Sequence, residues 1–312
     1  MATEPSNWSE TVSKTGLANR AVRWSVTNIQ AAWRVLEYSS AYLAMLAALE
    51  VFMVQLLLSL PMSPAPIVVG LATFSIYAND RLVDLDTDAV SNPQRTAFVR
   101  RYRTVLYVLA AVAYGSAVAL SVLGGPVALA ISLVPGVAWV LYAIGQVPAI
   151  ETPFQRLKEV LVLSSATIAV AWSLTIVFLP IVFAGVAVTP SAWVIFGYLA
   201  LGTFVCSEIS NARDVESDIE SGASTLPVAI GVRRTRYVLY GITLLIAAMI
   251  GIATSSGHLT IVSAGALFTG LLGLIGIIAL VGRIENGQLL SVAGEFSRVP
   301  VLATFVLASY VV

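Results

Sequence analysis

The chain contains six aspartates, and all of them fall in two short segments. The first is Asn79-Asp80-Arg81-Leu82-Val83-Asp84-Leu85-Asp86-Thr87-Asp88. Asp80, Asp84 and Asp88 recur at every fourth position, so a helix aligns them on one face and leaves Asp86 pointing elsewhere. The second is Asn211-Ala212-Arg213-Asp214-Val215-Glu216-Ser217-Asp218, where Asn211, Asp214 and Asp218 share a face by the same geometry. Like charges four apart on a helix repel by roughly 0.2–0.5 kcal/mol per pair in water, and by more where screening is poor. A bound cation resolves that conflict. Donor sets made only of oxygen suit Mg2+ or Ca2+ rather than zinc. Mg2+ takes one or two carboxylates and completes its shell with water and substrate phosphate. Two such clusters therefore suggest two ions bridged by one diphosphate. The competing reading is a pair of solvated, charged loops, which gives no reason for every aspartate to gather there. Arg156 and Lys158 could supply further positive charge to a leaving diphosphate; the alternative is that they only mark one side of a membrane.

The elements that position these residues are membrane helices. The chain has 312 residues, of which 58% are hydrophobic and 11% charged, against roughly 25% charged in soluble domains. Val51–Leu60, Val105–Leu123 and Ile261–Val281 are almost free of ionisable groups, and the longer runs reach the length of a spanning helix. Nine spans are predicted, near 36–60, 64–82, 101–122, 126–146, 159–185, 191–212, 236–254, 258–281 and 296–312. Pro61, Pro64 and Pro66, then Gly124-Gly125-Pro126, Pro190 and Ser255-Ser256-Gly257 supply turn chemistry between them. On this layout all 17 Lys and Arg lie in the N-terminal tail or at one set of span ends. Among them Arg81, Arg95, Arg100, Arg101 and Arg103 mark the junction of spans two and three, and Arg283 and Arg298 that of eight and nine. Positive charge is retained in the cytoplasm. The N-terminus and both aspartate segments are thus expected to face the cytoplasm of a multi-pass cell-membrane protein, with the C-terminus outside. Residues 1–33 are expected to be a cytoplasmic tail and 34–312 a single transmembrane domain. The net charge of zero gives no reason to expect a nucleic-acid partner, and the single cysteine, Cys206, excludes an intrachain disulfide.

A few other residues stand out. Glu50 lies within an apolar span, where a carboxylate is costly. It is either hydrogen-bonded to a neighbouring helix or lines a cavity, there to touch an acceptor or steer a cation. Its expected depth, counted from residue 36, is roughly 20 Å. Glu208, one turn before Asn211, either joins the second metal site or makes an interhelical hydrogen bond. Gly270, Gly273 and Gly276 permit close helix approach. His258 is expected at the surface, and Cys206 as a small buried group.

With these residues in place, the sequence resembles the UbiA superfamily of intramembrane prenyltransferases. The first segment resembles that family's Asn-x3-Asp-x3-Asp motif, with Asp80 at the asparagine position. The second, continuing through Gly222, Thr225-Leu226-Pro227 and Gly231, is similar to its Asp-x2-Asp-x3-Asp motif, with Asn211 at the first aspartate. Arg156-Leu157-Lys158-Glu159 and Trp172 resemble a third family segment, though Ser164 and Ser165 stand where some relatives have Lys-Asn. Asn92-Pro93-Gln94-Arg95 replaces the Asn-Arg-Pro of many members. The resemblance implies an all-α membrane fold around a central cavity, built as a pseudo-two-fold repeat of four-helix halves. It implies Mg2+-dependent transfer of a prenyl group from a prenyl diphosphate to a lipophilic acceptor, such as a quinone precursor, carotenoid or lipid. Asp84, Asp88, Asp214 and Asp218 would be catalytic metal ligands, joined by Asp80 and Asn211. Arg156, Lys158 and Arg95 would hold the diphosphate, and Glu50 and Glu208 would be candidates for the cavity. Two alternatives remain at this stage. One is a UbiA-type terpene cyclase acting on a prenyl diphosphate alone. The other is an ion or metabolite transporter, which would place ionisable groups along a path through the membrane.

Overall fold

The computed structural model describes residues 28–83, 85, 89, 92–144, 162–284 and 286–310. Among them every regular element is a helix, and the residues at the ends explain most of the boundaries. Helices α1 (Asn28–Tyr38) and α2 (Ala41–Leu57) meet at a 78° bend. Ser40 sits there with φ 61°, a left-handed backbone that costs a residue other than glycine about 1–2 kcal/mol. The Ser39 hydroxyl donates to the Val35 carbonyl at 2.7 Å. The buried Ser40 hydroxyl accepts from Arg81 at 3.4 Å. Next come α3 (Ala65–Val83), α4 (Pro93–Arg101), α5 (Arg103–Val122), α6 (Gly125–Ile144) and α7 (Leu163–Ala184). Helix α7 stops at Gly185, whose φ of 65° suits a glycine at a helix C-terminus. Helix α8 (Pro190–Arg213) starts with proline, and the Thr189 hydroxyl accepts from the Ala192 N–H at 3.3 Å. Short α9 (Val215–Ser221) and α10 (Leu226–Ile230) lead to α11 (Val232–Ser255). Thr260 caps α12 (Ile261–Leu280) through the Ser263 N–H at 3.0 Å. Asn286 caps α13 (Gly287–Phe296) through the Leu289 N–H at 3.0 Å. Helix α14 (Val299–Ser309) completes the set.

The long helices pack in chain order: α2 on α3, α3 on α5, α5 on α6, α6 on α7, α7 on α8, α8 on α11, α11 on α12 and α12 on α14. Helices α13 and α14 return to α2 and close the circuit, while α7 also reaches inward to α2 and α3. The interior is apolar: Val51, Val54, Val68, Val177, Leu179, Ile195, Leu199, Ile246 and Leu267 are sealed from solvent. Leu109, Val112, Leu244, Leu245 and Leu272 are exposed, as a lipid-facing surface requires. Among the described residues, six helices are long and apolar enough to cross a membrane by themselves, or seven if α1 and α2 form one bent span. Helix α6 is apolar over the shorter stretch Gly125–Val140, and α3 ends in the polar Asn79, Asp80 and Arg81.

Several expectations need correction. The first span does not run straight from residue 36, because of the bend at Ser40. Glu50 therefore lies nine residues along α2, roughly 14 Å from its start at about 1.5 Å per residue, and not 20 Å deep. The last helix begins earlier than expected, at Gly287, and is interrupted at Ser297–Arg298 ahead of Pro300. Arg298 is not a charge at the membrane edge: it is buried in the protein. Of the three glycines only Gly270 sits at a tight contact. A Cβ there would lie 2.5 Å from the Tyr198 hydroxyl, whereas Gly273 and Gly276 have nothing within 4 Å. His258 is exposed and Cys206 is buried, as expected.

Candidate functional site

The first aspartate segment begins in the last turn of α3. Asp80 points toward α6, where the Trp139 indole donates to its Oδ1 at 3.1 Å. Asn79 turns back onto its own helix and donates to the Ser75 carbonyl at 2.9 Å. Asp84, Asp86 and Asp88 lie outside the described residues, as do Arg156 and Lys158.

The second segment departs from a single continuous helix. Helix α8 ends at Arg213, Asp214 breaks the helix with φ −98° and ψ 17°, and α9 restarts at Val215. Asn211, in the last turn of α8, donates from Nδ2 to the Ser165 hydroxyl of α7 at 3.2 Å. Arg213 forms a two-pronged ion pair with Asp214. Its other amino group donates to Gln288 Oε1 at 2.6 Å, and Gln288 in turn donates to Glu37 at 3.1 Å. A polar chain thus ties α8 to α13 and α1 at one end of the bundle. Asp218 accepts from the Thr225 hydroxyl at 3.2 Å. Burial pushes the Asp218 carboxyl above its usual range; Asp214 and Glu208 push the same way, against the Thr225 hydrogen bond and Arg213. Glu208 is fully buried. Its Oε2 accepts from the Leu226 N–H at 3.1 Å, and its Oε1 has no hydrogen-bond partner. Of the two readings of Glu208, the structure supplies the hydrogen bond: it anchors the start of α10, and with it the Thr225-Leu226-Pro227 turn, to α8.

Helix α7 links the two motif-bearing helices. Its Trp172 indole donates to Thr73 on α3 at 3.3 Å, and its Ser165 receives Asn211 from α8. Ser165 and Trp139 are site neighbours that spacing alone does not single out. Ser165 is visible in sequence only as a departure from the third family segment. Trp139 gives no sequence signal, because an indole in an apolar span reads as core.

Beside Asp80 opens a cavity of about 140 Å3 lined by Ile76, Tyr77, Ala138, Trp139, Ile168 and Trp172. Tyr77, Ile168 and Trp172 also line a deeper chamber of about 60 Å3 that reaches Glu50, Thr203, Ser207, Glu295 and Arg298. In that chamber Arg298 Nη1 donates to Glu50 Oε1 at 2.5 Å, and Nη2 donates to Thr203 Oγ1 at 2.6 Å. Glu50 thus has a hydrogen-bonded partner in the break between α13 and α14 and also lines a cavity. Arg298 and Glu295 are additions that the charge pattern did not reveal. Arg95 is half-buried near the start of α4.

The half-buried donor set fits a hard divalent cation. It consists of carboxylate and amide oxygens from Asp80, Asn211, Asp214 and Asp218. Among the described residues alone, no three acidic, histidine or cysteine side chains converge on one point.

A bundle of apolar helices, two motif-bearing helices both bonded to α7, and a cavity beside the first motif define an integral membrane protein with a polar site. The UbiA prenyltransferase family model matches residues 26–296, and the chain belongs to that family. No curated protein matches it by sequence. Among solved structures it is similar to a UbiA homologue from Archaeoglobus fulgidus bound to GPP and Mg2+, with TM-score 0.63 and 14% identity over 88% of this chain and 98% of that one. An apo UbiA homologue from Aeropyrum pernix gives TM-score 0.61 at 15% identity, covering 88% of this chain and 98% of the other. A digeranylgeranylglyceryl phosphate synthase gives TM-score 0.55 at 14% identity, covering 88% and 96%. At these identities the likeness establishes the fold.

Proposed function

We propose that this protein transfers a prenyl group from a prenyl diphosphate to a lipophilic acceptor inside the membrane, and that it requires Mg2+. The observation that carries this reading is a family match over residues 26–296 combined with Asp80, of the first motif, opening onto an interior cavity. The A. fulgidus homologue bound to GPP and Mg2+ supports the same substrate and ion. Asp84, Asp88, Asp214 and Asp218 would hold two ions, with Asp80 and Asn211 completing or orienting their ligands. When bound, such ions supply positive charge where the departing diphosphate gathers negative charge. Arg156, Lys158 and Arg95 would bind the diphosphate oxygens. Trp139 fixes Asp80, Ser165 fixes Asn211, and the Glu208–Leu226 bond holds the turn that carries Thr225 against Asp218. Apolar walls around the cavity exclude water from a reactive allylic cation.

The same reading takes residues 34–312 as one domain of nine spans, made of two four-helix repeats and a final helix. The tail 1–33 and both motifs then face the cytoplasm, with the C-terminus outside. The deciding experiment incubates purified protein and Mg2+ with labelled geranyl or longer prenyl diphosphates and a lipid extract, and identifies the labelled product. A prenylated acceptor is expected. A cyclic hydrocarbon formed from the diphosphate alone would replace transfer with cyclisation.

A further inference from the structure

Both oxygens of the Asp214 carboxylate are taken by its chain neighbour. Arg213 Nε donates to Oδ1 at 2.7 Å, and Arg213 Nη2 donates to Oδ2. Side chains at adjacent helical positions do not face one another. These two meet because α8 ends at Arg213 and the backbone turns at Asp214, with φ −98° and ψ 17°. The guanidinium is also held from behind, by α13. Its Nη1 donates to Gln288 Oε1 at 2.6 Å and to the Ser291 hydroxyl at 3.4 Å. The stem of Arg213 lies on Gly287, where a Cβ would come within 2.6 Å of the arginine Cγ and 2.9 Å of its Cβ. A side chain at position 287 would therefore push the arginine away. Gly287 and Gln288 open the first turn of α13, where the helix dipole disfavours a cation, so an anion on the outer edge of the guanidinium stabilises the seat. Three residues of one helix thus hold Arg213 and leave its Nε–H and one Nη2–H aimed at Asp214.

We propose that Arg213 exchanges one anion for another on substrate binding: it pairs with Asp214 until a divalent cation takes that carboxylate, and the freed edge then binds the diphosphate. The proposal rests on the prenyl-transfer reading and adds a substrate-binding residue to it. A divalent cation on Asp214 competes with the guanidinium for the same two oxygens, and positive centres that close together repel. The Nε–Nη2 edge of an arginine fits a phosphate as it fits a carboxylate, through two parallel N–H···O bonds. Gly287, Gln288 and Ser291 keep the stem and the far amino group in place, so the exchange needs no new seat. The edge stays beside the ion, whose coordination shell substrate phosphate completes. The arginine then has two effects of opposite sign. It weakens the second motif for a metal ion alone, and it strengthens the loaded site for diphosphate. An ion pair that served only to hold this end of the bundle would give the diphosphate no advantage.

The test measures binding without turnover. Full-length protein in detergent is titrated with Mn2+ alone, followed by the electron paramagnetic resonance of the free ion. It is then titrated with labelled inorganic pyrophosphate at saturating Mg2+, followed by equilibrium dialysis. Arg213→Gln should bind Mn2+ about two- to fivefold more tightly than wild type, the range for release of a part-exposed ion pair. The same variant should bind pyrophosphate at least about tenfold more weakly, the range for loss of hydrogen bonds to a charged group. Arg213→Lys keeps the charge and loses the paired edge. Its Mn2+ affinity should stay within about twofold of wild type while its pyrophosphate affinity falls several-fold, and it serves as the second variant if Arg213→Gln does not fold. Arg233→Gln removes the same charge from an exposed position at the start of α11 and should leave both affinities within about twofold of wild type. Unchanged Mn2+ affinity in Arg213→Gln, undiminished pyrophosphate binding by it, or equal shifts in Arg233→Gln would each overturn the proposal. If wild type binds both probes and the Arg213 variants match it, the proposal alone fails. If wild type binds neither, the prenyl-transfer reading fails and the proposal falls with it.

Discussion

Arg298 and Glu50 meet across 248 positions of chain, and that separation explains why neither role could be read from sequence. Counted by position, Arg298 joins the other arginines at a span junction. Counted by contact, it is the cation that neutralises a carboxylate inside the bundle. The sequence does mark Glu50 as anomalous, because an ionisable group in an apolar run demands a partner, but it cannot say which helix supplies one. The pair makes a sharp prediction. Removing one member of a buried ion pair leaves an uncompensated charge and costs about 3–5 kcal/mol. Arg298→Gln and Glu50→Gln should each lower the unfolding temperature in detergent, whereas the double variant should recover most of the loss. Additive losses in the double-mutant cycle would show that the two side chains do not depend on one another. The aspartates are the opposite case. Their restriction to two segments is visible without any coordinates, whereas Trp139, which holds Asp80, and Ser165, which holds the neighbouring Asn211, come from helices distant in sequence.

At the scale of helices, apolar runs and turn residues locate the long elements, because length and hydropathy are local properties. Breaks that depend on tertiary contact are not legible in the same way. Ser40 turns left-handed beside Arg81 of another helix, and Asp214 ends α8 where neither glycine nor proline signals a stop. Small-residue spacing shows the same limit: Gly270, Gly273 and Gly276 look alike in the sequence, yet only Gly270 faces a neighbour closely. A Cβ at Gly270 would lie 2.5 Å from both the Tyr198 hydroxyl and Val301, and 3.0 Å from the Ser297 carbonyl of the interrupted last span. Gly270→Val is therefore expected to destabilise the protein by about 1–3 kcal/mol through overpacking, whereas Gly273→Val should have little effect. Thermal unfolding of the two variants side by side checks this; equal behaviour would mean that α12 and α14 do not pack as described.

For the whole molecule, the one-sided placement of Lys and Arg predicts orientation, a property that the packing of helices cannot supply. A cysteine introduced at Ser256 should react with a membrane-impermeant reagent from outside intact cells, and one at Ser91 only after the inner face is made accessible. Labelling of both from the same side would remove the nine-span arrangement. The central claim is that both aspartate segments serve one ionisation of a prenyl diphosphate, and it is tested most directly by pyrophosphate release. Purified protein, geranyl diphosphate and Mg2+ are combined with the acceptor-containing lipid extract, and release is compared among wild type, Asp84→Asn and Asp214→Asn. The expected result is release by wild type that EDTA abolishes and Mg2+ restores, with both variants folded and reduced by at least about a hundredfold, the scale on which loss of transition-state charge stabilisation acts. Undiminished release by either folded variant would contradict the account, because that segment would then have no part in holding the diphosphate.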